Sequence, residues 1–382
     1  MDGRGTDPVE RRPTMADVAR RAGVSRATVS FVVNETPGQS IGEPTRLRVI
    51  EAVEALSYRP NRAAQGLRTR RSATIGFITH ESPERSFADP AVTGAHDVAD
   101  EFGSRLLLVT TGGSPDRLRQ AVDDLLDRQV DAIIVATSGT RAIALPDAVR
   151  RLPVVLLNCF EGTLGRPGRP LLPTRLPTLL PDEQAGGDVA ARLALDAGHR
   201  DFAFLAGKAN SWATVQRIAG YRRALSAAGV DPRRQVLAHG RYEIDAGHSL
   251  ARQLVATGPL PSVILCGNDR MAVGVLLALA QAGIRVPDDV SVVGYDDQFG
   301  LASSLRPALT TVRLPYLEMG RAAAEQLLGP DRHPVTPGAA QAATTTNAAT
   351  TSSAAPPATT GLRWLPCLPV VRESLGPPRT SP

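Results

Sequence analysis

Several polar residues in this 382-residue chain stand where apolar runs end, and their side chains suit the grip of a small polar ligand better than a reaction. Asn158 closes the run from Pro153, Asn268 and Asp269 follow the run that ends at Cys266, and Asp296 and Asp297 follow Tyr295. Arg217 lies three residues before Gly220-Tyr221. Each residue alone reads as a cap on a strand or helix, and Tyr242 alone reads as core. Together, a planar guanidinium with carboxylates, amides and an aromatic face offers what a polyhydroxyl ligand needs, since its hydroxyls require paired partners. Reaction chemistry finds no candidate. There is no Gly-x-Ser-x-Gly elbow and no His-Glu-x-x-His pair, and the six histidines lack metal spacing. The single lysine, Lys208, starts no Gly-Lys-Ser/Thr phosphate loop, and Gly186-Gly187 reads as a pair of packing glycines. No enzyme activity, cofactor or metal is expected.

The elements that must carry those residues alternate. Strands are expected at Ala73–Thr79, Arg105–Thr111, Asp131–Thr137 and Pro153–Asn158, with helices at Ala91–Phe102 and Pro115–Arg128 between them. A stretch dense in Pro, Gly and Arg, Glu161 to Pro177, interrupts the pattern. It restarts with helices at Gln184–Ala197, Thr214–Ala228, Ile244–Ala256 and Met271–Ala282, alternating with strands at Asp201–Ala206, Gln235–His239, Ser262–Cys266 and Val290–Tyr295. Such alternation builds parallel sheets covered by helices on both faces, and ligands bind such folds at the carboxyl ends of the strands.

The first seventy residues are of a different kind. Thr14-Met-Ala-Asp17 fits a capping box opening a helix through Val18, Ala19 and Ala22, which Gly23 ends. Ser25 caps a second helix to about Asn34, with Val29, Val32 and Val33 on one face and Arg26, Ala27, Ser30 and Phe31 on the other. A third follows Pro44 and carries Val49, Ile50, Val53 and Leu56. Two short helices joined by a glycine turn and backed by a third make a helix-turn-helix, which lays one helix in the DNA major groove. Charge agrees. The chain carries a net +5, and residues 1–72 hold all of it, with 13 arginines against 8 acidic residues, while the remainder balances at 30 and 30. A basic head on a neutral body is the footprint of nucleic-acid binding.

The three scattered cysteines, Cys159, Cys266 and Cys367, read as buried reduced thiols, and no run approaches the roughly 18 apolar residues of a membrane span or the core of a signal peptide. A cytoplasmic protein with no membrane partner is expected.

The string Met15-Ala-Asp-Val-Ala-Arg-Arg-Ala-Gly-Val-Ser-Arg-Ala-Thr-Val-Ser-Phe-Val-Val-Asn34, followed by Tyr58-Arg-Pro-Asn-Arg-Ala-Ala-Gln-Gly-Leu67, closely resembles the head of the lactose/galactose repressor (LacI/GalR) family. The resemblance continues through nearly the whole chain. It implies a transcription regulator, a repressor, that binds a palindromic double-stranded operator as a homodimer under the control of a small effector such as a sugar. The implied fold is an all-α helix-turn-helix head plus an α/β, two-lobed, periplasmic-binding-protein-like body with parallel sheets. Base reading falls to Arg26, Ala27 and Phe31. Arg26 has the fork that pairs with guanine, Ala27 offers a methyl-sized contact, and Phe31 departs from the arginine often found there. Thr14, Ser25, Thr28, Ser30 and Asn34 match positions that hold phosphates. Pro60 to Leu67 resembles a hinge helix that folds on the operator, with Asn61 and Ala64 at the DNA and Leu67 wedged into the minor groove. In the body, the resemblance places Arg217 and Asp296 on sugar hydroxyls or an anionic ligand, Phe87 and Tyr242 in stacking positions, and Asn158, Asn268 and Asp269 on the cleft.

The expected division is a head at 13–59, a hinge and linker at 60–72, and a body at 73–375. Its lobe one spans about 73–177 and 300–331, and lobe two about 178–299 and 362–375. From Pro334 to Gly361 there is no charged residue, which departs from the family and reads as a disordered insertion before a terminal strand. The tail after Gly376 has no leucine heptad, so a dimer rather than a tetramer is expected. A solute-binding protein is the competing class; the basic head and the lack of a signal peptide oppose it.

Overall fold

The computed structural model describes residues 13–34, 40–59, 71–80, 89–161, 176–298, 300–329 and 361–379. The chain divides into two compact units, Met1–Ser72 and Ala73–Pro382. The expected hinge residues Asn61, Ala64 and Leu67, the aromatic Phe87, and all but the last residue of the 334–361 segment lie outside the described residues.

In the first unit, α1 (Met15–Ala22), α2 (Arg26–Val33) and α3 (Glu43–Ala55) enclose a small core of Val18, Ala19, Ala22, Val29, Val32, Val49, Ala52 and Tyr58. Both Thr14 N–H and Thr14 hydroxyl donate to the Asp17 carboxylate, at 2.9 and 2.7 Å, and fix the start of α1. Gly23 ends it at φ 66°, a left-handed conformation that favours glycine. Ser25 Oγ accepts Thr28 N–H at 3.0 Å and starts α2 after a single intervening residue, Val24. On α3 the buried face is Val49 and Ala52, with Ile50, expected inside, 41% exposed. The helix phase places Ala52, three residues on from Val49, towards the core and turns Ile50 away.

The second unit holds two parallel sheets. The first runs β11-β5-β4-β3-β1-β2, from β1 (Thr74–Thr79), β2 (Arg105–Thr110), β3 (Ala132–Ile143), β4 (Val154–Glu161), β5 (Thr178–Pro181) and β11 (Leu362–Leu365). Side chains alternate across it as the pleat requires. Ile75, Phe77, Ile134, Val155 and Leu157 pack with α4 (Asp89–Glu101) and α11 (Tyr316–Leu328), while Ile78, Ile133, Val135, Val154 and Leu156 pack with α5 (Pro115–Asp127). The second sheet runs β7-β6-β8-β9, from β6 (Phe202–Ala206), β7 (Val236–His239), β8 (Val263–Cys266) and β9 (Ser291–Val293). One of its faces packs on α8 (Ile244–Ala256) and α9 (Asp269–Gln281), and the other on α6 (Glu183–Asp196) and α7 (Trp212–Ala227).

Three crossings join the lobes. β5 leads through Asp182 into α6; the segment after β9 returns through α10 (Leu301–Ser304) and β10 (Thr311–Arg313) to α11; and β11 passes through Pro366 to β12 (Leu368–Val370), which pairs antiparallel with β10. This corrects the expected lobe boundaries. Residues 178–181 and 362–365 belong to the first sheet, whereas Ala302 and Leu309, expected in lobe one, are buried in the second lobe's core. The four-residue β5 is too short to stand out after a Pro/Arg-rich stretch. Its Leu179 and Leu180 are nonetheless buried, because the strand lies between β4 and β11. Among the described residues no helix is long and apolar enough to cross a membrane.

Candidate functional site

On the head, the capping serine and the buried Val29 and Val32 decide which face of α2 is left outward. Arg26 and Ala27 at its start are exposed, while Thr28, Ser30, Phe31 and Asn34 are half-buried. Thr28 and Asn34 are partly engaged already: Thr28 Oγ1 lies 2.9 Å from Ser25 Oγ, and Asn34 Nδ2 donates to Ser30 Oγ at 3.0 Å. Thr14 is exposed beside its Asp17 clasp. Arg26 makes no ion pair among the described residues, so its five N–H donors face outward from the leading turn of the helix.

In the body, a cavity of about 590 Å³ opens between the lobes. Ser138 to Arg141 and Tyr316 line it from the first lobe, and Lys208, Asn210 to Ala213, Arg217, Tyr242 and Asn268 from the second. The extension of β3 past its expected end at Thr137, with a register shift between Ala136 and Arg141, carries the first-lobe residues there. Trp212 of α7 meets Phe160 of β4 edge-on, with ring centroids 6.3 Å apart, so aromatic contact spans the two lobes.

The floor of the cavity is an ionic cluster. Buried Arg217 donates from Nε and Nη2 to the two carboxylate oxygens of buried Glu183, at 2.7 and 2.9 Å, and from Nη1 to Gly267 O at 2.5 Å. Asp296 Oδ1 lies 3.5 Å from Nη2, and the guanidinium sits 3.6 Å over the Tyr295 ring. Burial opposes the charge on Arg217, yet Glu183, Tyr295 and Asp296 together hold its pKa well above the ordinary arginine value. Burial pushes the Asp296 carboxyl well above the usual carboxylate range; Arg217 opposes that shift, and Asp269 and Glu183 add to it. The two-point pair with Glu183 is therefore the principal one, and Asp296 the weaker partner.

Close packing holds this cluster. A Cβ on Gly187 of α6 would lie 2.2 Å from Arg217 O, and one on Gly220 of α7 would lie 1.9 Å from Gln184 O. Gly187 thus packs against α7 and Gly186 against Tyr295 and Cys367, both as packing glycines. Backbone strain also gathers here: Tyr242 at φ 63° and Asp296 at φ 112° are non-glycine residues in a region that side chains rarely adopt.

Four of the expected ligand residues reach the cavity: Arg217, Tyr242, Asn268 and Asp296. Tyr242 OH lies 2.5 Å from Thr214 Oγ1, and Asn268 caps α9 by accepting Met271 N–H while donating to Tyr242 O. Two others do not line it. Asn158 does not end its strand, since β4 runs on to Glu161. It lies buried behind the wall at φ 55°, accepting Thr140 Oγ1 and donating to Tyr316 OH, both on lining residues. Asp269 is fully buried and clamps the second crossing, accepting Thr311 Oγ1 at 2.6 Å and Gln298 N–H at 2.9 Å. Glu183, Trp212, Arg270 and Tyr316 were not legible as site residues. Glu183 directly follows Asp182 at a helix start, a place where acidic residues are ordinary.

A helix-turn-helix unit followed in sequence by a two-lobed α/β unit with a cavity between its lobes is the build of a DNA-binding transcription regulator. Residues 14–61 match the family described as bacterial regulatory proteins, lacI family, and residues 191–353 match the periplasmic binding protein-like domain. The chain is 33% identical over 317 residues to the HTH-type transcriptional repressor PurR of Vibrio parahaemolyticus, a match spanning 82% of this chain and 91% of that protein. It is 30% identical over 321 residues to the ribose operon repressor of Haemophilus influenzae, spanning 84% and 92%. The crystal structure of the lac repressor dimer bound to operator and the anti-inducer ONPF shares the fold with a TM-score of 0.71 at 26% identity, covering 95% of this chain and 99% of that one. The chain belongs to the lacI family of bacterial transcriptional regulators. The relatives are repressors rather than enzymes, which bears out the absence of a catalytic reading.

Proposed function

We propose that this regulator represses transcription as a homodimer on a palindromic operator, and that a small effector, a sugar or a sugar derivative, controls it from the cavity between the lobes. The observation that carries the reading is that cavity. Its walls come from two lobes joined only by short crossings among the described residues, so a ligand touching both walls changes how the lobes sit. Its volume lies within the roughly 300–1,000 Å³ of ordinary small-molecule sites. Arg217, Asp296, Asn268 and Tyr242 are the proposed contacts from the second lobe and the crossing. In the head, Arg26 is the proposed reader of a guanine, Ala27 and Phe31 its neighbours on the bases, and Thr14, Ser25, Thr28, Ser30 and Asn34 the phosphate contacts. On family resemblance, Asn61, Ala64 and Leu67 complete the grip. Effector and operator are then coupled reciprocally, each changing the affinity for the other by the same factor.

Fluorescence anisotropy with palindromic duplexes from the gene's own upstream region tests this. The expected result is binding by a dimer with a steep fall in affinity as salt rises. Failure to bind any such duplex at low salt, or saturation by a monomer in sedimentation, overturns the reading.

A further inference from the structure

Resting on the reading of the cavity as the effector site, we propose that the effector carries an anionic group, a phosphate or a carboxylate, seated at the start of α7 against Lys208. The charge balance of the walls carries this. Each carboxylate lining the cavity already has a guanidinium: Arg217 holds Glu183 and Asp296, and Arg270 holds Glu243. Lys208, by contrast, is exposed and makes no ion pair among the described residues. Arg241 shares a rim recess with it and, among the described residues, pairs only with the exposed Asp245, at 2.8 Å. The cavity is left with surplus positive charge at one end.

Donors without acceptors collect at that same end. Ser211 precedes α7, but its side chain accepts no hydrogen bond from the first turn, and Ser211, Trp212 and Ala213 all line the cavity. The indole N–H of Trp212 and the Nε–H of Arg270, both on lining residues, are buried with no acceptor among the described residues. A neutral polyol brings acceptors too, but each hydroxyl also brings a donor, and none brings a charge to meet Lys208. A phosphate or carboxylate brings acceptors only, and the amino end of a 16-residue helix favours its charge. Lysine supplies a compact point charge suited to that group.

The chain has two tryptophans, so Trp364→Phe leaves Trp212 as the sole reporter in the cavity. This full-length variant is titrated with ribose 5-phosphate, glucose 6-phosphate, gluconate and inorganic phosphate, and with neutral ribose and glucose, following Trp212 emission and the melting temperature. At least one of the organic anions is expected to bind about tenfold or more tighter than its neutral counterpart, with affinity falling as salt rises. Lys208→Met, at an exposed position, should leave the melting temperature of the unliganded protein unchanged and weaken that anion by about tenfold. Neutral sugars binding as tightly as the anions, or anion affinity indifferent to Lys208→Met, overturns the anionic class and leaves the cavity reading standing. Silence of every probe in both readouts overturns both.

Discussion

Arg217 and Glu183 form a two-point ion pair, Nε to Oε2 at 2.7 Å and Nη2 to Oε1 at 2.9 Å, at the place where the chain leaves the first lobe for the second. Glu183 is the first residue of α6, directly after the crossing from β5, and Arg217 stands on the helix packed against it. The pair thus fixes how the second lobe begins. It also fills most of the guanidinium's donor fork before any ligand arrives, so a ligand meets Arg217 by its remaining Nη1 donor or by displacing Asp296.

Removing one partner of a buried pair leaves the other charge uncompensated. Glu183→Ala is expected to destabilise the body by about 3 kcal/mol, and Glu183→Gln by less, since the amide retains one acceptor for the guanidinium. Urea unfolding followed by circular dichroism measures both. An alanine variant as stable as the parent would show that Asp296 alone compensates Arg217.

The pair depends on the absence of a side chain at Gly187. A methyl there would lie 2.2 Å from Arg217 O, so α6 and α7 must move apart. Gly187→Ala is expected to cost about 1–3 kcal/mol or more through overpacking. Gly139, whose added Cβ would meet nothing within 4 Å and whose φ is not positive, serves as the control and should be neutral or slightly stabilised as Gly139→Ala. Equal melting temperatures for the two variants would contradict the packing account.

The parts of the fold legible in the sequence are those whose signals are local. The Thr14–Asp17 clasp, the Gly23 turn and the Ser25 cap are each written within about four residues, and α8 keeps the bounds its periodicity predicts. Contacts across long separations were not legible. Glu183 meets Arg217 across 34 residues, and Tyr316 OH reaches Ser138 O across 178, so neither partner carries a mark of the other. Asn158 misled for the opposite reason: a polar residue after an apolar run looks like a strand end, yet β4 continues through it although its backbone is left-handed.

Arg26 is exposed and makes no ion pair among the described residues, so replacing it should leave folding intact and act on DNA alone. Arg26→Ala is expected to weaken operator binding by about 1–3 kcal/mol and to relax the preference at one base pair of each half-site. Ser25→Ala is different in kind: it removes the cap that accepts Thr28 N–H and is expected to lower the head's stability by about 1 kcal/mol. Anisotropy against a set of single-base operator variants separates the two. An Arg26→Ala protein that weakens equally on every sequence would assign that arginine to a phosphate instead.

Asp269 gives the second crossing a dependence on pH. Burial raises its carboxyl to about 6 and nearby Asp297 adds to the rise, outweighing the hydrogen bonds from Thr311 and Gln298. The folded protein therefore keeps this proton over a range in which the unfolded chain has released it, so the stabilisation is complete below about pH 4 and is lost as pH rises to about 6. The loss amounts to about 3 kcal/mol, with no further slope from this group above that range. Asp269→Asn cannot titrate; it also gives up the bond from Gln298 N–H, so its overall stability is lower and the comparison lies in the slope. Unfolding free energies of parent and variant, measured from about pH 4 to about pH 8, should show the parent falling relative to the variant up to about pH 6 and running parallel beyond. A difference that stays level, or grows in the parent's favour with pH, would mean that Asp269 is ionised in the folded protein throughout and that Thr311 and Gln298 hold a carboxylate.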